Sequence, residues 1–149
     1  MQVGETVVIL GAGTIGLVTM LSCKARGAGR IIVADLIDEK LNKAKELGAD
    51  YVINSGREDA LEQIGKITDG EGADKVFETA GSPHTIAQTP FAVKRGGTIV
   101  LVGLAAVASG AIDIKVIVTH EFDLEHIEDA YNEAVRNKTD LIKAVIKIK

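Results

Sequence analysis

The chain has 149 residues, 46% of them hydrophobic, enough for one sizeable core and too apolar for a disordered segment. A formal net charge of -4 leaves no basic face for a phosphate backbone, so nucleic acid is not expected as a partner. Many glycines and no tryptophan suit a close-packed α/β domain better than a sandwich or a barrel.

The single cysteine, Cys23, excludes an internal disulfide and fits a reducing, cytoplasmic setting. Met1 to Glu5 has no basic n-region, and no run approaches the ~18 apolar residues of a membrane span. Neither a leader nor a membrane is expected. The chain starts almost directly on its first strand, as a domain cut from a longer parent would.

Thr6 to Leu10 is a continuous β-branched and apolar run, which predicts a strand covered on both faces. Gly11 ends it. Helical spacing then runs from Thr14 to Arg26, with Ile15, Val18, Leu21 and Ala25 as the expected inward face, and Gly27 and Gly29 stop it. Ile31 to Ala34 is a second strand, ending at Asp35. Asp38 is placed to cap a second helix, whose inward face is Leu41, Ala44 and Leu47 and whose end is Gly48. Tyr51 to Ile53 is a short third strand. Ala60, Leu61, Ile64 and Ile67 mark a third helix, and Asp69 to Gly72 a turn.

Asp74 to Glu78 is a fourth strand. Ser82 caps the next helix, with Pro83 at its first position. Pro90 falls inside that helix and is expected to kink or split it. Gly96-Gly97 leads into a fifth strand, Thr98 to Val102. Beyond it, Ile112 to Phe122 reads as extended. Phe122, Asp123 and Ile127 form a staple around an N-cap, and the helix they open carries Leu124, Ile127, Ala130, Tyr131 and Ala134 inward. Leu141 to Ile148 is a last strand. Strands starting every ~20–25 residues with helices between them are the rhythm of right-handed βαβ units. The expected fold is α/β: a doubly wound parallel sheet of Rossmann type, three-layer αβα, with a short C-terminal α+β tail. Residues 1–106 form the Rossmann domain. Residues 107–149 either belong to the same unit or return to a domain this chain lacks.

Gly11-Ala12-Gly13-Thr14-Ile15-Gly16 is a G-x-G-x-x-G placed between a strand and a helix, the context that gives this motif weight. Gly11 permits the tight turn, Gly13 lets backbone approach a pyrophosphate, and Gly16 lets the helix pack close. The amides of Thr14 and Ile15 then face the anion at the positive end of the helix dipole. Asp35, at the carboxyl end of the second strand, can accept from both ribose hydroxyls and repels a 2′-phosphate. Leu36 and Ile37 follow it, with no arginine to hold that phosphate, and Arg30 lies at the far end of the strand. The expected cofactor is therefore NAD rather than NADP.

Other chemical-looking residues carry less. His120-Glu121 lacks the second histidine four residues on that a zinc-protease helix needs, since position 124 is Leu. His84, His120 and His126 share no metal-ligand spacing and read as surface or cap residues. Cys23 reads as a packing residue, and Asp69, Glu71 and Asp74 as a solvated turn. Glu78 ends a strand on the ligand-facing edge, where it either touches cofactor or holds a loop.

The segment Gly4 to Leu17 resembles the cofactor-domain entry of medium-chain, zinc-dependent alcohol dehydrogenases. So do Asp35 with Lys40-Leu41, Ala44 to Asp50, Glu78 to Ser82, and Gly96 to Gly103. The tail, from Ala130-Tyr131 through Ile142 to Ile148, looks most like the sorbitol (L-iditol) dehydrogenase branch. The resemblance implies that Gly11, Gly13, Thr14, Ile15 and Gly16 hold the pyrophosphate, that Asp35 and Lys40 hold the adenosine ribose, and that Leu36 lines the adenine pocket. Ala80 and Val102-Gly103-Leu104 would flank the nicotinamide. It further implies a homo-oligomeric parent acting on a small alcohol or polyol, with zinc bound in an N-terminal catalytic domain absent here. The family also carries about forty further residues, including a sixth strand, where this chain has only Leu104-Ala105-Ala106. Two rivals lie outside the dehydrogenases: a stand-alone nucleotide-sensing module, which the Gly103 block and the tail fit poorly, and a methyltransferase, which needs an antiparallel seventh strand for which there is no pattern.

Overall fold

The computed structural model describes residues 1–102, 120–136 and 144–147. The chain divides into two compact units, Met1–Ala111 and Ile112–Lys149. In the first, five strands and four helices alternate: β1 (Thr6–Leu10), α1 (Thr14–Ala25), β2 (Arg30–Asp35), α2 (Asp38–Glu46), β3 (Tyr51–Asn54), α3 (Ala60–Ile67), β4 (Ala73–Glu78), α4 (Pro83–Ala92) and β5 (Val93–Leu101). All pairings are parallel, in the order β3-β2-β1-β4-β5. In the second unit, β6 (His120–Asp123) and β7 (Ala144–Lys147) pair in parallel. A short 3-10 turn (Leu124–His126) and α5 (Ile127–Arg136) lie between them in the chain. Among the described residues no helix is long and apolar enough to cross a membrane.

The sheet is buried because its strands are apolar on both sides. Alternate residues feed two separate cores. Val7, Ile9, Ile31 and Val33 pack with Met20 and Cys23 of α1 and Leu41 and Ala44 of α2. Val8, Leu10, Ile32, Ala34, Ile53 and Val76 pack with Ala60 and Ile64 of α3 and Ala92 of α4. This is the three-layer αβα arrangement, and each such buried Val, Ile or Leu contributes about 1.5–3 kcal/mol.

Two local expectations are corrected, and one of the two alternatives at Pro90, a split helix, falls. The inward face of α1 is Gly16, Met20 and Cys23, with Leu17 packed beside them, whereas Ile15, Val18, Leu21 and Ala25 are exposed. The helix is apolar almost all round, so spacing alone does not select a face. The contact of Gly16 with the turn selects it: a Cβ there would stand 1.9 Å from the Gly11 carbonyl oxygen. Residues at i+4 and i+7 from Gly16 then follow inward. In α2 the N-cap is Ile37, not Asp38, whose carboxylate instead accepts from Asn54 Nδ2 at 2.6 Å and pairs with Arg57. Pro90 does not split α4, which runs on to Ala92. Proline removes the amide that would reach the Ile86 carbonyl, and the buried Thr89 hydroxyl donates to that oxygen at 2.8 Å.

Other elements fall where the spacing puts them. Leu41, Ala44 and Leu47 face in from α2, and Ser82 caps α4 with Pro83 behind it; Asp59, which the sequence reading did not single out, caps α3 by accepting from the Glu62 amide. The strand β5 begins earlier than expected. Its pairing with β4 jumps from Ala73–Val93 to Lys75–Thr98, so Gly96-Gly97 lies within an irregular stretch rather than before the strand. The expected inward face of α5 and the extended run 112–119 lie outside the described residues.

Candidate functional site

Register brings the carboxyl ends of β1, β2 and β4 together. Leu10 stands opposite both Ala34 and Glu78, so the residues that follow, Gly11, Asp35 and Thr79, share one edge of the sheet. The strand order reverses here, β1 being flanked by β2 on one side and β4 on the other. Open α/β sheets bind ligands in the crevice at such a point.

Each of the motif glycines has its own reason. Gly11 has φ +105°, and a Cβ on it would lie 2.8 Å from the Ala80 amide nitrogen. Gly16 is required by the helix-to-turn contact already described. Gly13 differs: its φ of -71° and ψ of -177° suit any residue, and nothing stands within 4 Å of where its Cβ would be. Neither backbone strain nor packing explains a glycine at this position. Gly13 is also the N-cap of α1. No side chain caps that end, and the exposed Thr14 and Ile15 begin the helix with no acidic residue in the first turn. The helix therefore presents uncapped amides and an uncompensated positive dipole end.

Asp35 closes the edge from β2. Its Oδ2 accepts from the Ala12 amide at 2.7 Å and its Oδ1 from the Ile37 amide at 3.0 Å. A carboxylate has about four acceptor sites, so both oxygens keep capacity for ligand hydroxyls. Leu36 and Ile37, at 69% and 44% exposure, leave an apolar surface beside it, and Lys40 is exposed one turn on. Arg30 is committed elsewhere, donating to the Ile67 carbonyl at the end of α3.

A cleft of about 400 Å³ joins part of this edge; Thr14, Ile15 and Gly16 are not in its lining. Gly11, Gly13, Asp35, Leu36 and Lys40 line it together with Ala80. Val102 is not in the lining; its amide donates to the Glu78 carbonyl. Gly103 and Leu104 lie outside the described residues. A larger hollow of about 580 Å³ sits at the other end of the sheet, where β4 and β5 begin, among Ile64, Gly72, Phe91 and Arg95. It shares no residue with the glycine turn.

Sequence reasoning missed the wall of the cleft formed by α4 and the turn before it: Thr79, Ser82, His84, Thr85 and Gln88. The helix itself was legible, but which of its faces borders the cleft depends on how it packs on β4. Glu78 holds this wall in place. Fully buried, it accepts through Oε1 from the amides of Ala80 and Gly81 and from the Thr85 hydroxyl. These bonds hold the loop, while its other oxygen, Oε2, is buried with no hydrogen-bond partner. Cys23 is buried in the core, and burial pushes its thiol up from the ordinary value. Among the described residues no group of three His, Cys, Asp or Glu side chains could hold a metal ion.

The family model described as zinc-binding dehydrogenase matches residues 14–146. A zinc-type alcohol dehydrogenase-like protein of Escherichia coli, YdjJ, is 39% identical over 177 residues, covering 97% of this chain and 51% of the relative. Sorbitol dehydrogenase of Bacillus subtilis is 33% identical, covering 98% of this chain and 51% of the relative. A solved Escherichia coli oxidoreductase/dehydrogenase of unknown specificity superposes with a TM-score of 0.66 at 38% identity, over 99% of this chain and 52% of that one. The chain thus spans about half the length of the relatives it matches. The YdjJ alignment is also longer than the 149 residues present, so that relative carries at least 28 positions with no counterpart here. With a model covering most of its length and relatives at this level of identity, the chain belongs to the zinc-binding dehydrogenase family.

Proposed function

We propose that this chain is the NAD(H)-binding half of an oxidoreductase that transfers hydride between a secondary alcohol or polyol and NAD. The observation that carries the reading is Gly13. With an ordinary backbone and open space around it, its missing side chain is accounted for by a ligand that must come close. The uncapped amides of α1 supply donors to a pyrophosphate, and Asp35 supplies acceptors to a ribose. Leu36 offers an apolar face to the adenine, Lys40 a cation beside the ribose, and Ala80 a small wall toward the nicotinamide.

When bound, NAD supplies the hydride-accepting ring; the residues of this chain bind and orient it. The alcohol or polyol substrate is proposed from the relatives, which include sorbitol dehydrogenases. Substrate and catalytic zinc belong in this reading to the half of the relatives that this chain does not span. Calorimetric titration of the purified chain with NADH, NADPH and S-adenosylmethionine tests it. NADH should bind, and bind better than the other two. No NADH binding, or preference for S-adenosylmethionine, overturns it.

A further inference from the structure

The peptide unit between Gly11 and Ala12 is gripped from both sides. It is trans and buried, so its C=O and N–H point in opposite directions and each needs a partner. Its N–H donates to Asp35 Oδ2 at 2.7 Å. Its C=O accepts from the Thr79 hydroxyl at 3.0 Å. Chemistry fixes both roles, since a backbone amide only donates and a carbonyl oxygen only accepts. The two side chains come from the end of β2 and from the residue after β4, and these strands flank β1 on opposite sides. The Thr79 hydroxyl also lies 3.0 Å from the Leu10 carbonyl. That oxygen already accepts from the Thr79 amide at 2.9 Å, so the single hydroxyl proton matters most at Gly11.

Both jaws line the cleft together with Gly11 and Gly13, yet only Asp35 has a role in the reading above. Thr79 stands on a fixed base, because the buried Glu78 before it holds the amides of Ala80 and Gly81. The gripped carbonyl faces α1 at close range: a Cβ on Gly16 would stand 1.9 Å from Gly11 O and 2.9 Å from Thr79 Oγ1. Tilting this peptide therefore moves the turn against the helix that follows it, and with it Gly13 and the uncapped amides behind Gly13. Hydrogen bonds weaken steeply as their angle degrades, so a small tilt is felt at an anion held by those amides. We propose that Thr79 is a positioning residue for the dinucleotide. Its hydroxyl sets the tilt of the Gly11–Ala12 peptide and so aims Gly13 and the opening of α1 at the pyrophosphate, with Asp35 as the opposing jaw. The inference rests on the NAD(H) reading and adds to it a residue that acts through the glycine turn rather than by touching the ligand.

Thr79→Val keeps the shape of the side chain and removes its proton. It should weaken NADH by about fivefold to tenfold in calorimetric titration. Thr79→Ser keeps the hydroxyl and should bind NADH within about twofold of the unaltered chain. Hydrogen exchange at two amides held by one carboxylate reads the grip directly. In Thr79→Val the Ala12 amide should exchange at least about fivefold faster, while the Ile37 amide, held by Asp35 Oδ1, keeps its rate. A merely structural role would speed both. Thr79→Ala removes the hydroxyl with less bulk and should behave like Thr79→Val, so the test stands even where the valine chain fails to fold. If the unaltered chain binds no NADH, the NAD(H) reading fails and this inference with it. If it binds NADH and the valine and alanine variants bind within about twofold of it, or if the Ala12 amide is accelerated no more than that of Ile37, the inference alone is overturned.

Discussion

The Oδ2 of Asp35 accepts a hydrogen bond from the Ala12 amide at 2.7 Å, which ties the end of β2 to the glycine turn between β1 and α1. The same carboxylate that is proposed to select the ribose therefore also shapes the phosphate turn. Exchanging it for a neutral side chain alters two parts of the site together.

The first prediction concerns cofactor choice. The chain should bind NADH more tightly than NADPH, because Asp35 would face the 2′-phosphate and no cleft residue next to it is an arginine. Asp35→Ser should narrow that gap, but by losing NADH rather than by gaining NADPH. Removing a charged acceptor costs about 1.5–3 kcal/mol, roughly a factor of 10 to 100 in affinity. The Ala12 amide loses its partner as well, so the melting temperature should fall by a few degrees. Titration and melting of the variant decide the matter. Tight NADPH binding with an unchanged melting temperature would show that Asp35 acts only by charge.

The second prediction separates ligand glycines from folding glycines. Gly13→Val should remove NADH binding while costing about 1 kcal/mol or less in stability, the difference between glycine and a β-branched residue at an N-cap. Gly16→Ala should do the reverse in kind. Its new methyl group would meet the Gly11 carbonyl at 1.9 Å and Thr79 Oγ1 at 2.9 Å, so the turn or the helix must shift. The expected loss of stability is about 1–3 kcal/mol. Urea melts beside NADH titrations of both variants test the contrast, and a Gly13→Val protein that binds NADH normally would move the phosphate site elsewhere.

These glycines also indicate what was legible in the sequence. The strands were, since Thr6 to Leu10 and Ile31 to Ala34 are apolar on both sides and only a covered parallel sheet satisfies that. So was one side of the cleft, because G-x-G-x-x-G and the strand-end Asp35 carry their chemistry in local spacing. The rotation of α1 was not. Its apolar residues run all round, and the face was selected by a contact between Gly16 and Gly11 that no periodicity encodes. The α4 wall escaped for a similar reason. His84 and Gln88 become cleft residues only through the docking of α4 on β4, where Thr85 donates to the buried Glu78.

The third prediction concerns acid. Asp74 accepts from the Thr6 amide at 2.8 Å and pairs with Lys94, so it joins β1, β4 and the start of β5. The hydrogen bond from Lys94, helped by the Thr6 amide, holds its carboxyl below the usual range. Glu5 is lowered too, by the Gln2 amide and by Lys75. A carboxyl lowered on folding stabilises above its unfolded pKa, near 4, and that contribution is lost as pH falls through the folded value. Asp74→Asn should therefore be less stable than the unaltered chain at pH 7, by about 1 kcal/mol. The difference should begin to shrink below about pH 4, where the unfolded chain's carboxyl takes up its proton, and be lost as pH falls through the lower folded value. Denaturant melts at pH 7 and pH 3 measure it, and a difference that stays constant would remove the charge argument.

The last prediction is that the 149-residue chain alone turns over no alcohol and holds no stoichiometric zinc. A catalytic zinc needs three protein ligands converging on one point with a fourth position open. The only thiol, Cys23, is buried in the core beneath α1, where its contacts are apolar and its ionisation is disfavoured. Of the three histidines, His84 is bonded to Gln88 on the cleft wall, and only His120 and His126 are near one another in sequence. The segments outside the described residues contain neither histidine nor cysteine, and carboxylates without such partners favour harder ions. Hydride transfer further requires the alcohol carbon held against the nicotinamide, since fixed proximity supplies much of the acceleration. The cleft described here offers residues for the dinucleotide and, in the proposed division of labour, leaves that wall to the other half of the relatives. Metal analysis of the dialysed protein, paired with assays of NADH production on sorbitol, xylitol and simple secondary alcohols, tests both statements. Bound zinc at one per chain, or turnover above background, would mean that these 149 residues form a complete enzyme and that the proposed division between two halves is wrong.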